Sequence, residues 1–218
     1  MNQERRRCLR GNEPTTDHVN KYLGTENYFP TTMHLCAVSS HSDVKSTFLR
    51  ELAKDALDQS TCRLGTKFVL KADRFAVTVF DLPNSHLLNA MLSFCIDSSR
   101  ALFVYVVNTS LSQAEMEDDA AKWMANITSL FAVNGGAANV MIVGIIHDVG
   151  VTAKQRKKLE NLAKTLTEEF GQKVNIHGIL SWVANLLERD YDQTARIKQA
   201  LFTLADGIIQ VSATKCMS

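Results

Sequence analysis

Apolar residues in this chain alternate between two patterns. Short continuous runs, Leu35–Val38, Ala101–Val107, Val140–Ile146 and Val174–Leu180, have the composition of strands covered on both faces. Between them apolar residues recur every three or four positions, which is the period of a helix buried along one face. Phe48, Leu49, Leu52, Ala53, Ala56 and Leu57 form one such stripe over 46–57. Ala120, Trp123, Ile127, Leu130 and Phe131 form another over 113–131. Thr152 stands as a cap before Leu159, Leu162, Ala163, Leu166 and Phe170, and the helix stops at Gly171. Further helices are predicted over 85–96 and 182–205. After a turn at Asp58–Thr61, the runs Thr66–Lys71 and Phe75–Phe80 flank Ala72-Asp73-Arg74 and read as an antiparallel hairpin.

Strands alternating with helices, with one hairpin early in the chain, predict an α/β fold. Its sheet is mostly parallel and six-stranded, covered by helices on both faces, with one antiparallel edge strand. Residues 1–32 are polar and read as an arm, 33–206 as the domain and 207–218 as a tail in which Ile208, Ile209 and Val211 add a short apolar contact. In such a sheet, ligands bind at the carboxyl ends of the strands, where Ser39–Lys45, Asp81, Asn108 and Asp148 converge.

A chain of 218 residues, 45% apolar, can bury one sizeable core. Its net charge of +1 gives no electrostatic reason to expect nucleic acid or an anionic membrane as partner. Five scattered cysteines without a Cys-x-x-Cys pair argue against a disulfide framework or a zinc site, and Cys36, Cys62 and Cys95 read as small core residues. No apolar stretch reaches membrane-span length, and Arg5-Arg6-Arg7 has no apolar run behind it as a secretory signal would. A cytoplasmic protein is expected.

The stretch that carries chemistry is Ser39-Ser-His-Ser-Asp-Val-Lys-Ser-Thr47. A strand, a polar loop and a helix opening with Lys45-Ser46-Thr47 follow the order of the phosphate-binding motif G-x-x-x-x-G-K-[ST]. Ser39 and Val44 occupy the glycine positions. Val44 adds a β-branched side chain where backbone must approach phosphate, and Asp43 adds negative charge beside it. Lys45 and Ser46 keep the phosphate-binding ammonium and the metal-binding hydroxyl, although an ordinary exposed lysine and a helix cap fit the same residues.

Phe75-Ala-Val-Thr-Val-Phe-Asp-Leu-Pro-Asn84, Ala101–Asn108, the helix bearing Trp123 and Val140–Asp148 together resemble the Ras-like small GTPases, and within them the Roc domains of multidomain signalling proteins. The resemblance spans about residues 33–205 and rests on order and spacing more than on intact motifs. It implies a three-layer P-loop NTPase fold that binds GTP or GDP with Mg²⁺. The nucleotide contacts it implies are Ser40, His41, Ser42, Asp43, Val44, Lys45, Ser46 and Thr47, with Asp148 and Ser181 at the base. Ser46 and Asp81 would hold the metal, and Thr61 or Thr66 would be the threonine of the first switch. Asn84 replaces the phosphate-facing glycine, and Ser85 stands where a water-orienting Gln is common, so weak hydrolysis or none is expected. Ile145 and Ile146 replace the polar residues that usually accompany the base-recognising Asp, and Trp182 departs from the pattern beside Ser181.

Two functions follow from this. One is a nucleotide-binding switch working with protein partners or neighbouring domains. The other is a pseudo-GTPase scaffold that binds no nucleotide. A small-molecule P-loop kinase lacks its lid arginines here. Elsewhere, the histidines have no metal-ligand spacing, and the Lys154–Lys158 and Glu115–Asp119 charge clusters read as solvated surface. His177 reads as structural.

Overall fold

The computed structural model describes residues 32–62, 65–72, 74–81, 100–131, 137–147, 152–183 and 191–215. Seven strands form one sheet in the order β2-β3-β4-β1-β5-β6-β7. They are β1 (Thr32–Val38), β2 (Asp58–Cys62), β3 (Gly65–Lys71), β4 (Ala76–Asp81), β5 (Ala101–Asn108), β6 (Ala138–Ile146) and β7 (Val174–Val183). Strands β4, β1, β5, β6 and β7 run parallel, while β3 pairs antiparallel with both β4 and β2. The hairpin predicted from Thr66–Phe80 is therefore present, closed by Ala72 N donating to Phe75 O at 3.0 Å. The expected turn at Asp58–Thr61 is instead strand β2. Its polar sequence gave no strand signal because an edge strand can be held by backbone hydrogen bonds to one neighbour alone.

Four α-helices are described: α1 (Ser42–Leu52), α2 (Gln113–Phe131), α3 (Thr152–Phe170) and α4 (Tyr191–Lys215), with a 3₁₀ turn at Ala53–Asp55. The limits of α2 and α3 match the periodicity. Ser112 and Glu115 cap α2 reciprocally: Ser112 N donates to Glu115 Oε2 at 2.8 Å and Glu115 N to Ser112 Oγ at 3.3 Å. Hydrogen bonding from the Ser112 side chain first, and then from its backbone N–H, holds the Glu115 carboxyl below the usual range.

The sheet separates two apolar cores. On one face Cys36, Phe103, Tyr105, Val140 and Ile142 meet Met116, Trp123, Leu159 and Leu166 of α2 and α3. On the other Leu35, Val77, Leu102, Val104 and Val143 meet Phe48 and Leu52 of α1 and Ile197 and Leu201 of α4. Residues alternate strictly between the two along β5, as the period of a strand requires.

Three boundaries differ from the sequence expectation. Helix α1 begins at Ser42, three residues before Lys45, and ends at Leu52, leaving Leu57 58% exposed. Strand β7 continues through Trp182, which lies buried against Phe48 instead of opening a helix. Helix α4 continues past residue 206 to Lys215, burying Ile208 while Val211 stays 58% exposed, so the expected tail is largely helical. The expected arm, the 85–96 helix and Gly135-Gly136 lie outside the described residues. No described helix is long and apolar enough to cross a membrane.

Candidate functional site

Sheet order places the end of β1 between β4 and β5, so the segment leaving Val38 emerges beside Asp81, the last residue of β4. Asp81 is level with Ala37 of β1 on one side and with Thr66 of β3 on the other. Because β3 is antiparallel, its beginning lies at the end of the sheet where β1 and β4 finish.

The connection from β1 to α1 is only Ser39-Ser40-His41. Ser42, Asp43 and Val44, expected in the loop, form the first turn of α1. Val44 is 5% exposed and packs with Phe48 in the α1 core, four residues further along the same helical face. The first intrahelical bond runs from Lys45 N to His41 O at 3.1 Å. Helix geometry thus leaves the amides of Ser42, Asp43 and Val44 without intrahelical acceptors, and the His41 side chain makes no capping bond. A helix start of this kind attracts anions, while the exposed Asp43 carboxylate in the same turn opposes them. Thr47 is turned back into the helix, its hydroxyl donating to Asp43 O at 2.8 Å.

Lys45 is neither exposed nor idle. It is 2% exposed, and its Nζ lies 3.0 Å from Asp81 Oδ1, with Asp81 24% exposed. Ser46 sits at the fifth position of α1 and is not its cap. It lines a cavity of about 370 Å³ together with Asp81, Thr66, Gln59, Arg50 and Lys54, floored by Leu49 and Phe68. Of the two threonine candidates, Thr66 lines this cavity; Thr61 is its cross-strand partner on β2. One hydroxyl from α1, one from β3 and the Asp81 carboxylate thus face a single space. This set of hard oxygen donors suits Mg²⁺.

Ser39 and Ser40 are fixed from other directions. The buried Ser39 Oγ accepts from His41 N at 3.1 Å. Ser40 Oγ donates to Asp119 Oδ1 and accepts from Trp123 Nε1 at 3.0 Å, both on α2. Tyr105 of β5 donates its hydroxyl to the other Asp119 oxygen at 2.6 Å. Burial first, then the bond and charge of Asp119, raise the Tyr105 pKa well above the ordinary phenol range. Asp119 had appeared only as part of a solvated acidic cluster, and nothing local in the sequence links it to Ser40.

Asp148 lies outside the described residues, as do Asn84 and Ser85. Ile145 and Ile146 are buried, and Ile145 O is taken by Thr109, through its N at 3.2 Å and its Oγ1 at 2.7 Å. Lys158, expected in a solvated cluster, reaches across to Leu111 O at 2.6 Å, and Gln155 beside it is buried. Ser181 lies within β7, opposite Gly144. It lines a separate cavity of about 640 Å³ with Arg156 and Glu160 of α3 and Gln193 and Arg196 of α4. His177 is bonded to Asn139 Oδ1 at 2.7 Å, in keeping with a structural role.

No family model matches the chain, and no curated protein matches it by sequence. Solved structures do match. The translation elongation factor SelB of Methanococcus maripaludis, in its apo form, superposes with a TM-score of 0.58 at 16% identity, over 81% of this chain and 35% of SelB. A GTP-binding protein of the archaeon Sulfolobus solfataricus in complex with GDP gives 0.50 at 12% identity, over 84% of this chain and 52% of that one. The Roc-containing fragment of Methanosarcina barkeri Roco2 bound to GDP also aligns, with a TM-score of 0.48 at 16% identity, over 79% of this chain and 49% of that one. The chain spans about a third to a half of the length of these proteins. At these identities the likeness concerns fold, and the fold of this chain is the α/β fold of the P-loop GTPases.

Proposed function

We propose that this chain is a guanine-nucleotide-binding G domain with weak or no GTP hydrolysis. The observation that carries the proposal is the convergence of Ser46, Thr66 and Asp81 at one cavity at the carboxyl end of the sheet, with the buried Lys45 ammonium ion-paired to Asp81. GDP is bound by the Sulfolobus solfataricus protein of the same fold. The open amides of the first turn of α1 and the Lys45 ammonium would meet phosphate oxygens. Ser46, Thr66 and Asp81 would hold Mg²⁺, which neutralises phosphate charge when bound. A phosphate competes with Asp81 for Lys45, so occupancy by nucleotide and the ion pair oppose each other. The Roc resemblance extends the proposal to cytoplasmic signalling beside protein partners or neighbouring domains. Asp148 remains the proposed base contact; Ser181, facing a different cavity, is less suited to one.

A nucleotide-free pseudo-GTPase is supported by a separate observation. Helix α1 fills three positions of the phosphate loop, with Val44 in the core, so little backbone is left to wrap a phosphate. Titration with fluorescent GDP and GTP in Mg²⁺, beside Ser46→Ala and Lys45→Ala, separates the two. Micromolar or tighter binding that loses its Mg²⁺ dependence in Ser46→Ala establishes the switch. No saturable binding, with a melting temperature indifferent to nucleotide, establishes the scaffold.

A further inference from the structure

We propose that Asp119, Trp123 and Tyr105 form a latch that holds the phosphate loop shut, making α2 the regulator of the nucleotide site. This rests on the nucleotide-binding proposal and concerns how that site is opened. Three residues join β1 to α1, and the middle one, Ser40, is bonded at its hydroxyl to two side chains of α2. Asp119 is itself held from beneath by the buried Tyr105 hydroxyl, so the acceptor is anchored to the sheet. Helices α1 and α2 pack on opposite faces of that sheet. The latch therefore draws Ser40 across the sheet end to the α2 side, away from the first turn of α1.

A loop that is to wrap a phosphate needs slack. With Ser40 tied, slack can come only from unwinding Ser42–Val44, which would withdraw Val44 from the core. Releasing Ser40 supplies it at lower cost. The resting loop is thus a shut state, and apparent ligand affinity is the open-state affinity multiplied by the fraction of molecules in which the latch is open. Any partner that moves α2 relative to the sheet shifts this fraction and so sets nucleotide affinity without touching the nucleotide. Trp123 loses its indole partner when Ser40 leaves, which makes it an intrinsic reporter of the loop.

The test uses the full chain carrying Trp182→Phe, so that Trp123 is the remaining indole, with and without Ser40→Ala. Ser40→Ala removes the latch without altering charge. The expected result is a saturable change in Trp123 emission when GDP–Mg²⁺ or pyrophosphate is added to the parent. Ser40→Ala should show the shifted emission without ligand and bind GDP about tenfold more tightly, the scale of a charge-assisted hydrogen bond discounted for exposure. Equal or weaker GDP binding by Ser40→Ala overturns the latch. If neither protein binds GDP, the nucleotide proposal fails, and amide exchange over residues 39–44 then decides the latch. Faster exchange in Ser40→Ala at an unchanged melting temperature shows that the latch closes the loop, and unchanged exchange overturns it.

Discussion

Replacing Asp81 with Asn tests the electrostatic centre of the site directly. Lys45 is 2% exposed and lies 3.0 Å from a carboxylate that is 24% exposed. At that separation and an effective dielectric of about 20, opposite unit charges attract by about 5–6 kcal/mol. Desolvation of the ammonium and solvent access to Asp81 offset much of this, since buried pairs recover little more than their desolvation cost. The substitution nevertheless keeps the ammonium buried while removing its carboxylate, so a loss of about 2–3 kcal/mol is expected. For a chain of this size that lowers the melting temperature by about 5–10 °C. Lys45→Met should cost less, about 1 kcal/mol, because it leaves a carboxylate that water can reach and no buried charge. The double variant should be more stable than Asp81→Asn alone. Urea denaturation of the four proteins, followed by far-ultraviolet circular dichroism, closes the cycle. A stability change below about 0.5 kcal/mol for Asp81→Asn, with coupling near zero, would falsify the claim that Lys45 depends on Asp81.

Two further predictions concern the packing around the site. A Cβ built on Gly144 falls 2.2 Å from Leu159 Cδ1 and 2.9 Å from its Cγ, so Gly144→Ala should cost about 1–3 kcal/mol by overpacking. Adding Leu159→Ala should give a double variant less destabilised than the sum of the two, measured by urea midpoint. Tyr105 is kept protonated in the folded chain by burial and by Asp119, whereas the unfolded chain ionises near pH 10. Its contribution is therefore intact below about pH 10 and is lost as pH rises further. Tyr105→Phe should flatten that alkaline fall in urea midpoints between about pH 8 and about pH 11, and an unchanged slope would assign it to other groups.

Patterns with a strong period were legible from sequence. The buried runs of β5 and β6 and the stripes of α2 and α3 match the structure closely because each buries its apolar side chains continuously. Strand β2 was not, since Asp58-Gln-Ser-Thr-Cys62 is polar and its order comes from pairing with β3. The start of α1 was obscured by the motif itself. A phosphate-loop template places Val44 in a loop, while its spacing of four from Phe48 already fits a helix. Lys45 and Asp81 were each legible as candidate site positions, but their mutual bond was not. The attachment of Ser40 to Asp119 and Trp123 joins residues 79 and 83 positions apart, and no local pattern carries such a contact.

The order β4-β1-β5 has a consequence for how the chain acquires its structure. Strand β1 is synthesised first among the described strands, yet both of its neighbours come later, Ala76–Asp81 on one side and Ala101–Asn108 on the other. Its edge toward β5 remains open until β5 has left the ribosome, and closing both edges spans long sequence separations, which slows folding. During that interval Leu35-Cys36-Ala37-Val38 is an apolar strand with an unpaired edge, the kind of segment that pairs between chains. The central strand beside the candidate site in the finished molecule is thus an aggregation hazard while the chain is being made.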